Sequence, residues 1–258
     1  MNMMNSKAVW QSDKTIPWCI AFAGMVLLGV LLHLNIIPAT DTAGRYIPMA
    51  RAFAEGNWEY AFHPHSGVFF AALSGSLNFL LPIDAFRACQ LAALLLWGMA
   101  AVPLYHIALR IWHKRETAVI CSVLYLLCSH LQRYVYDGLR DNGRSLGFFL
   151  AVLGILMLQE NEIYWKPVMA AALGCAVLIT IRIDCVLFGI LGIAVFAVMD
   201  VIKHKWRCYR SSAAALLCLV LVAPQLYLNY CYSGYPVPNA RYAGLCKKLG
   251  LPPLGRVK

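Results

Sequence analysis

Charged side chains are scarce. They make up 13% of the 258 residues, against about 25% in an ordinary soluble domain. That shortage excludes a soluble globular fold with a charged surface. The chain also lacks a CxxC pair and any Cys/His cluster, so no zinc site is expected. It lacks the short alternating apolar segments of a membrane β-barrel. It shows no obvious internal repeat, which argues against a transporter built from repeated halves. No basic stripe with interleaved aromatics is present, and nucleic acid is not an expected partner.

What the chain does contain is apolar. Hydrophobic residues make up 61% of it, and they fall in runs long enough to cross a bilayer, which takes about 20 residues per helix. The fold class is therefore all-α, a polytopic transmembrane helical bundle. About seven spans are expected, at residues 17–38, 88–111, 117–134, 146–158, 167–181, 185–201 and 212–230. The first run is too long for a signal-peptide core and no small-residue cleavage site follows it, so it reads as a retained span. Residues 1–16 form a polar N-terminus, residues 17–230 the transmembrane module, and residues 231–258 a Gly- and Pro-containing tail. Most of the ten cysteines lie inside apolar runs and read as small buried hydrophobes. Cys231 and Cys246 are read as unpaired.

The formal net charge of +10 sits mostly in short loops beside apolar runs, where it sets topology and touches anionic membrane lipids. Placing the basic loops at 110–115, 160–166 and 203–210 with the N-terminus in the cytoplasm sends residues 39–87, 136–145, 182–184 and the tail to the other face. The first of these outer segments, 39–87, carries interfacial helices. Its second half, 67–81, is apolar but short, and is expected to lie at the interface or re-enter.

This topology gathers the polar residues hardest to explain as orientation signals onto one outer face: Asp41, Arg45, His63, His65, Arg140, Asp141, Arg144, Arg182 and Asp184. Charges at an apolar boundary are costly and usually mark a function or a pair. Each has two readings. Asp41 is either a general base or a helix N-cap. Tyr46, Ala50 and Ala54 follow it at helical spacing, and Gly56 ends the run. His63-Pro64-His65 is a metal or phosphate ligand, or simply the start of a helix at Pro64. Arg140, Asp141 and Arg144 stand at a helix start, where paired guanidinium donors suit a phosphate; the alternative is a surface network among themselves. Arg182 and Asp184 either pair with each other or reach a lipid phosphate.

At these residues the chain resembles the GT-C superfamily of integral-membrane glycosyltransferases, in the branch of the protein O-mannosyltransferases and the bacterial lipid A aminoarabinose transferases. The resemblance rests on D-T-A-G-R-Y-I-P-M-A-R-A-F-A-E-G (41–56) after the first span, His63-Pro64 before a short apolar helix, Arg87 opening the second span, L-R-D (139–141) before the fourth, Gly174 and Arg182 in and after the fifth, and G-Y-P-V-P-N (234–239) in the tail. It implies a donor sugar on a polyprenyl phosphate and a reaction on the non-cytoplasmic face. Asp41 would be the catalytic base, and Arg45, Tyr46, His63, His65, Arg140, Asp141, Arg144, Arg182 and Asp184 would bind substrate. Whether a divalent metal ion takes part stays open. Two departures stand out. Thr42 occupies a position where many relatives carry a second acid. The chain also corresponds to the N-terminal conserved module of longer relatives, so a non-catalytic or split subunit needing a second membrane chain is the alternative expectation.

Overall fold

The computed structural model describes residues 15–61, 67–159, 165–182, 185–204 and 209–233. All regular structure among them is helical: α1 (Ile16–Leu31), continued by a 3-10 turn (Leu32–Leu34), a π-helical turn (Thr42–Tyr46), α2 (Ile47–Ala54), α3 (Trp58–Ala61), α4 (Val68–Leu80), α5 (Ala85–Trp112), α6 (Arg115–Leu127), α7 (Ser129–Tyr136), α8 (Asn142–Gln159), α9 (Trp165–Ile181), α10 (Val186–His204) and α11 (Tyr209–Ser233).

Five of these are long and apolar enough to cross a membrane: α1 with its 3-10 turn, α5, α8, α10 and α11. A sixth results if α6 and α7 are one span, bent by 49° at Cys128. This is the architecture of a multi-pass membrane protein. The remaining expected span is α9, whose 17 residues rise about 26 Å. Helix α4 has 13 residues and rises only about 20 Å, well short of a hydrocarbon core of about 30 Å.

The helix ends follow from local chemistry. Pro17 sits in the first turn of α1, where its missing N–H removes no bond. The Asp84 carboxylate caps α5, accepting from the backbone N–H groups of Phe86 at 2.9 Å and Arg87 at 3.0 Å. The α6/α7 bend has no proline or glycine behind it. Cys128 turns extended, with ψ 105°, and the Gln132 side chain donates to the Leu126 carbonyl at 2.7 Å. A side chain inserted into the helical ladder is one of the few causes of a sharp kink.

Helix α5 is the centre of the bundle. Trp97, Tyr105 and Gln90 on it are fully buried, and it packs against α1, α4, α6 and α8. The closest helix pair is α8 with α9. A methyl group at Gly174 would stand 2.3 Å from the Ala151 backbone nitrogen, so only glycine permits this approach. Small residues at such contacts let membrane helices pack backbone to backbone. The pair is antiparallel, which sets the C-terminal end of α9 beside the N-terminal end of α8. By contrast α10 and α11 expose Leu187, Phe188, Val195, Ile202, Leu216 and Val220, the faces a bilayer would cover.

Candidate functional site

The α8–α9 packing creates the first element of the site. Asp141 precedes α8 and Arg182 follows α9. Arg182 Nη1 donates to Asp141 Oδ1 at 2.7 Å, and Arg144 Nη2 donates to the same oxygen at 2.6 Å. The placement suits the backbone field: a carboxylate at a helix N-terminus and a cation at a helix C-terminus are both favourable. Asp141 is 9% exposed and Arg140 7%. The network alternative holds for Arg144 and Asp141, which pair, but its surface part is corrected: Asp141 is buried and is also bonded by Arg182 from beyond α9.

Arg140 leads to the second element. Its guanidinium lies over the ring of Tyr46, 5.3 Å from the centroid, a favourable cation–π geometry. Tyr46 is 5% exposed, and its ring meets Phe70 of α4 edge-on at 5.3 Å. Burial pushes the Tyr46 phenol above its ordinary pKa, with Arg140 opposing. The hydroxyl therefore stays protonated at neutral pH. Tyr46 closes the turn that follows Asp41 and carries the Arg140 guanidinium on its ring, so it links that turn to the guanidinium cluster.

Asp41 itself begins the π-helical turn. The Ile47 N–H donates to the Thr42 carbonyl, five residues back, and such turns recur at functional sites. Asp41 makes no side-chain capping bond and has helical dihedrals, so the N-cap reading does not hold. Its carboxylate stands 4.0 Å from Arg45, with both side chains more than half exposed. Asp41 is thus the accessible carboxylate of the site, and Asp141 is the sequestered one.

Thr42 explains why the turn sits where it does. It is fully buried and its hydroxyl donates to the Asp137 carbonyl at 2.6 Å. A second acid at this position would face that carbonyl oxygen and repel it. The neighbouring Gly138 has φ +64°, and a Cβ there would stand 3.2 Å from Thr42 Cγ2. Turn and staple require each other. Asn142 adds a further tie, donating from Nδ2 to the Leu131 carbonyl at 3.1 Å.

The structure therefore brings together Asp41, Tyr46, Arg140, Asp141, Arg144 and Arg182 at one end of the bundle, with Arg45 at the exposed edge. His63, His65, Pro64 and Asp184, the tail from 234 on with Cys246, and residues 1–14 lie outside the described residues. So the His-Pro-His motif and an Arg182–Asp184 pair have no structural account; Arg182 is bonded to Asp141. Among the described residues no group of three or more His, Cys, Asp or Glu side chains is placed to hold a metal ion. Sequence reasoning singled out Thr42 but not its bond to Asp137, and it missed Asp137 and Phe70. The Asp137-Gly138 dipeptide was a turn signal, but nothing local tied it to residue 42. Comparison with family models, curated proteins and solved structures returns no match to the chain.

Proposed function

We propose that the chain is a membrane glycosyltransferase that moves a sugar from a polyprenyl-phosphate-linked donor to a lipid, glycan or protein acceptor on the non-cytoplasmic face. In this reading α9 crosses the bilayer, giving seven spans, and the Asp41 end faces outward. The observation that supports it most is the pairing of one accessible carboxylate, Asp41, with a cluster of three guanidiniums, Arg140, Arg144 and Arg182, across a buried tyrosine.

The division of labour follows from the chemistry. Asp41 takes the proton from the acceptor hydroxyl or amine as that atom attacks the anomeric carbon. The bond from the anomeric carbon to the phosphate oxygen breaks, and its electron pair leaves with the polyprenyl phosphate, inverting the centre. The charge that develops on the leaving phosphate needs fixed cations, and arginine offers them with paired donors. Asp141 holds Arg144 and Arg182 in place before substrate arrives, so their orientation costs little during reaction.

Asp41→Asn keeps the shape of the turn and removes the base. Sugar transfer from a polyprenyl-phosphate donor should fall about 10²–10⁴-fold, with donor binding retained. Full activity in this variant would refute the assigned base. The second reading is a scaffold subunit that needs a partner chain. Co-purification with a second membrane protein, and turnover only in its presence, would select that reading.

A further inference from the structure

A second polar network lies behind the Asp41 turn, and the proposed chemistry makes no use of it. Arg87, in the first turn of α5, donates from Nη1 to the carbonyls of Leu32 at 2.5 Å and Asn35 at 3.1 Å, and to the side-chain oxygen of Gln90 at 2.7 Å. Its Nη2 reaches the His33 carbonyl at 3.3 Å. Gln90, one turn further along and fully buried, donates from Nε2 to the Tyr136 carbonyl at 2.8 Å and the Asn35 carbonyl at 3.4 Å. The Asn35 side chain donates to the same Tyr136 carbonyl at 2.7 Å.

Part of this is ordinary helix termination. Apart from Leu32, whose carbonyl also accepts the Asn35 N–H at 3.1 Å, the last carbonyls of the 3-10 turn and its cap have no intrahelical donors, and a cation at a helix C-terminus is favourable. Gln90 and Asn35 likewise satisfy a terminal carbonyl, but one on a different helix, so their bonds join segments as well as end them. Both amides converge on Tyr136, the last residue of α7, which belongs to another part of the chain. Three segments are joined at one point: the end of α1, the start of α5 and the end of α7. Asp41 leaves that point on one side, and Arg140 and Asp141 leave it on the other, each within a few residues.

We propose that Arg87, Gln90 and Asn35 form a positioning clasp that sets the distance between the Asp41 turn and the Asp141 guanidinium cluster. A part-buried network anchored on the buried Gln90 amide is stiffer than its separate bonds, and the planar fork of arginine reaches several carbonyls at once where lysine offers a point charge. The geometric part stands on the structure. Only its consequence for turnover rests on the glycosyltransferase reading. A misplacement of about 1 Å can cost about 10²-fold in rate, so a clasp at this junction has leverage on the reaction without touching substrate.

The test is a distance measurement in the full chain in lipid nanodiscs. Ketone-bearing residues at positions 44 and 133 carry spin labels and leave the native cysteines untouched. A side chain at Gly44 meets nothing within 4 Å, and the Arg133 side chain is 78% exposed. With the clasp intact, the distance between the labels should be a single narrow distribution. Arg87→Gln and Gln90→Leu should each broaden or shift it, and Arg87→Lys should fall between them and the parent. Asn35→Ala is the milder variant, because Asn35 is half-buried in a loop and its loss removes the tie to Tyr136 and one local bond, in which its Oδ1 accepts the Ile37 N–H at 3.3 Å. It decides the matter if the α5 variants do not fold. Distributions in folded Arg87→Gln, Gln90→Leu and Asn35→Ala as narrow as the parent's, at an unchanged mean, would overturn the clasp. In sugar transfer, Asn35→Ala should lower kcat about tenfold with donor KM within about twofold. If the chain transfers no sugar at all, the glycosyltransferase reading fails while the label distances still decide the clasp.

Discussion

The two ends of the helix bundle each bury a carboxylate and treat it differently. At one end Asp141 is bonded by two guanidiniums from separate helices, and the accessible Asp41 stands nearby. At the other end Asp200 of α10 is fully buried, and it accepts the backbone N–H of Ser211 at 2.9 Å. Lys203 there donates to the Leu158 carbonyl at 3.0 Å, closing the end of α8. The Ser211 and Lys203 bonds tie helix termini together through backbone groups. Those at the Asp141 end tie side chains to side chains and leave Arg144 more than a third exposed. Buried charge alone does not mark a site. What distinguishes the Asp141 end is the convergence of guanidiniums beside an accessible acid.

Removing each carboxylate should separate the two ends most strongly. Asp141→Ala leaves Arg144 and Arg182 facing each other without their shared counter-ion. Breaking a buried pair in this way costs about 3–5 kcal/mol, read as a drop in unfolding free energy in detergent. Asp200→Asn keeps an acceptor for the Ser211 N–H and should cost less, about 1–3 kcal/mol. Equal losses at the two positions would erase the distinction, because the Asp200 end would then be as dependent on charge as the Asp141 end.

How these ends were legible in the sequence also differs. The apolar runs carried the spans, and the turn glycine Gly56, with φ +74°, was readable as the end of α2. The gathering of Asp41, Arg140, Asp141, Arg144 and Arg182 at one end followed from counting spans, since alternate loops share a face. What could not be read is every bond between loops. Thr42 binds Asp137 across 95 positions, and Arg87 binds Leu32 across 55. Neither pair leaves a local pattern, because hydrogen bonds of this kind need only one donor and one carbonyl, and every residue has a carbonyl. The π-helical turn at Thr42–Tyr46 was equally silent: the spacing of Tyr46, Ala50 and Ala54 fits an α-helix, and one extra residue in a turn does not disturb it. Asp200 drew no notice because a lone acid near the end of an apolar run looks like a solvated boundary residue.

A double replacement sharpens the contrast between stability and chemistry at the Asp141 end. Asp141→Leu combined with Arg182→Met exchanges the ion pair for apolar side chains of similar bulk. Such exchanges are often neutral or stabilising, and Arg144, with its partial exposure, can turn to water. Unfolding free energy should therefore lie within about 1 kcal/mol of the parent, while sugar transfer should be lost, as it should be in Asp141→Ala. Restored stability with restored transfer would show that the pair is scaffolding like Asp200, and that the departing phosphate is met elsewhere.

The smallest effect belongs to Arg45. Its guanidinium faces Asp41 at 4.0 Å, with side-chain exposures of 57% and 64%, so water screens the pair. Exposed pairs of this kind contribute less than about 1 kcal/mol, and Arg45→Gln should leave the unfolding midpoint nearly unchanged. Arg182 and Arg45 thus form a matched test within one site, since each is an arginine beside an aspartate. If Arg45→Gln destabilises the chain as much as Arg182→Gln, the difference in burial between the two acids has no energetic meaning. If it leaves stability alone and lowers sugar transfer, Arg45 acts on the substrate or on the Asp41 carboxylate and not on the fold, because no structural loss would remain to explain the change.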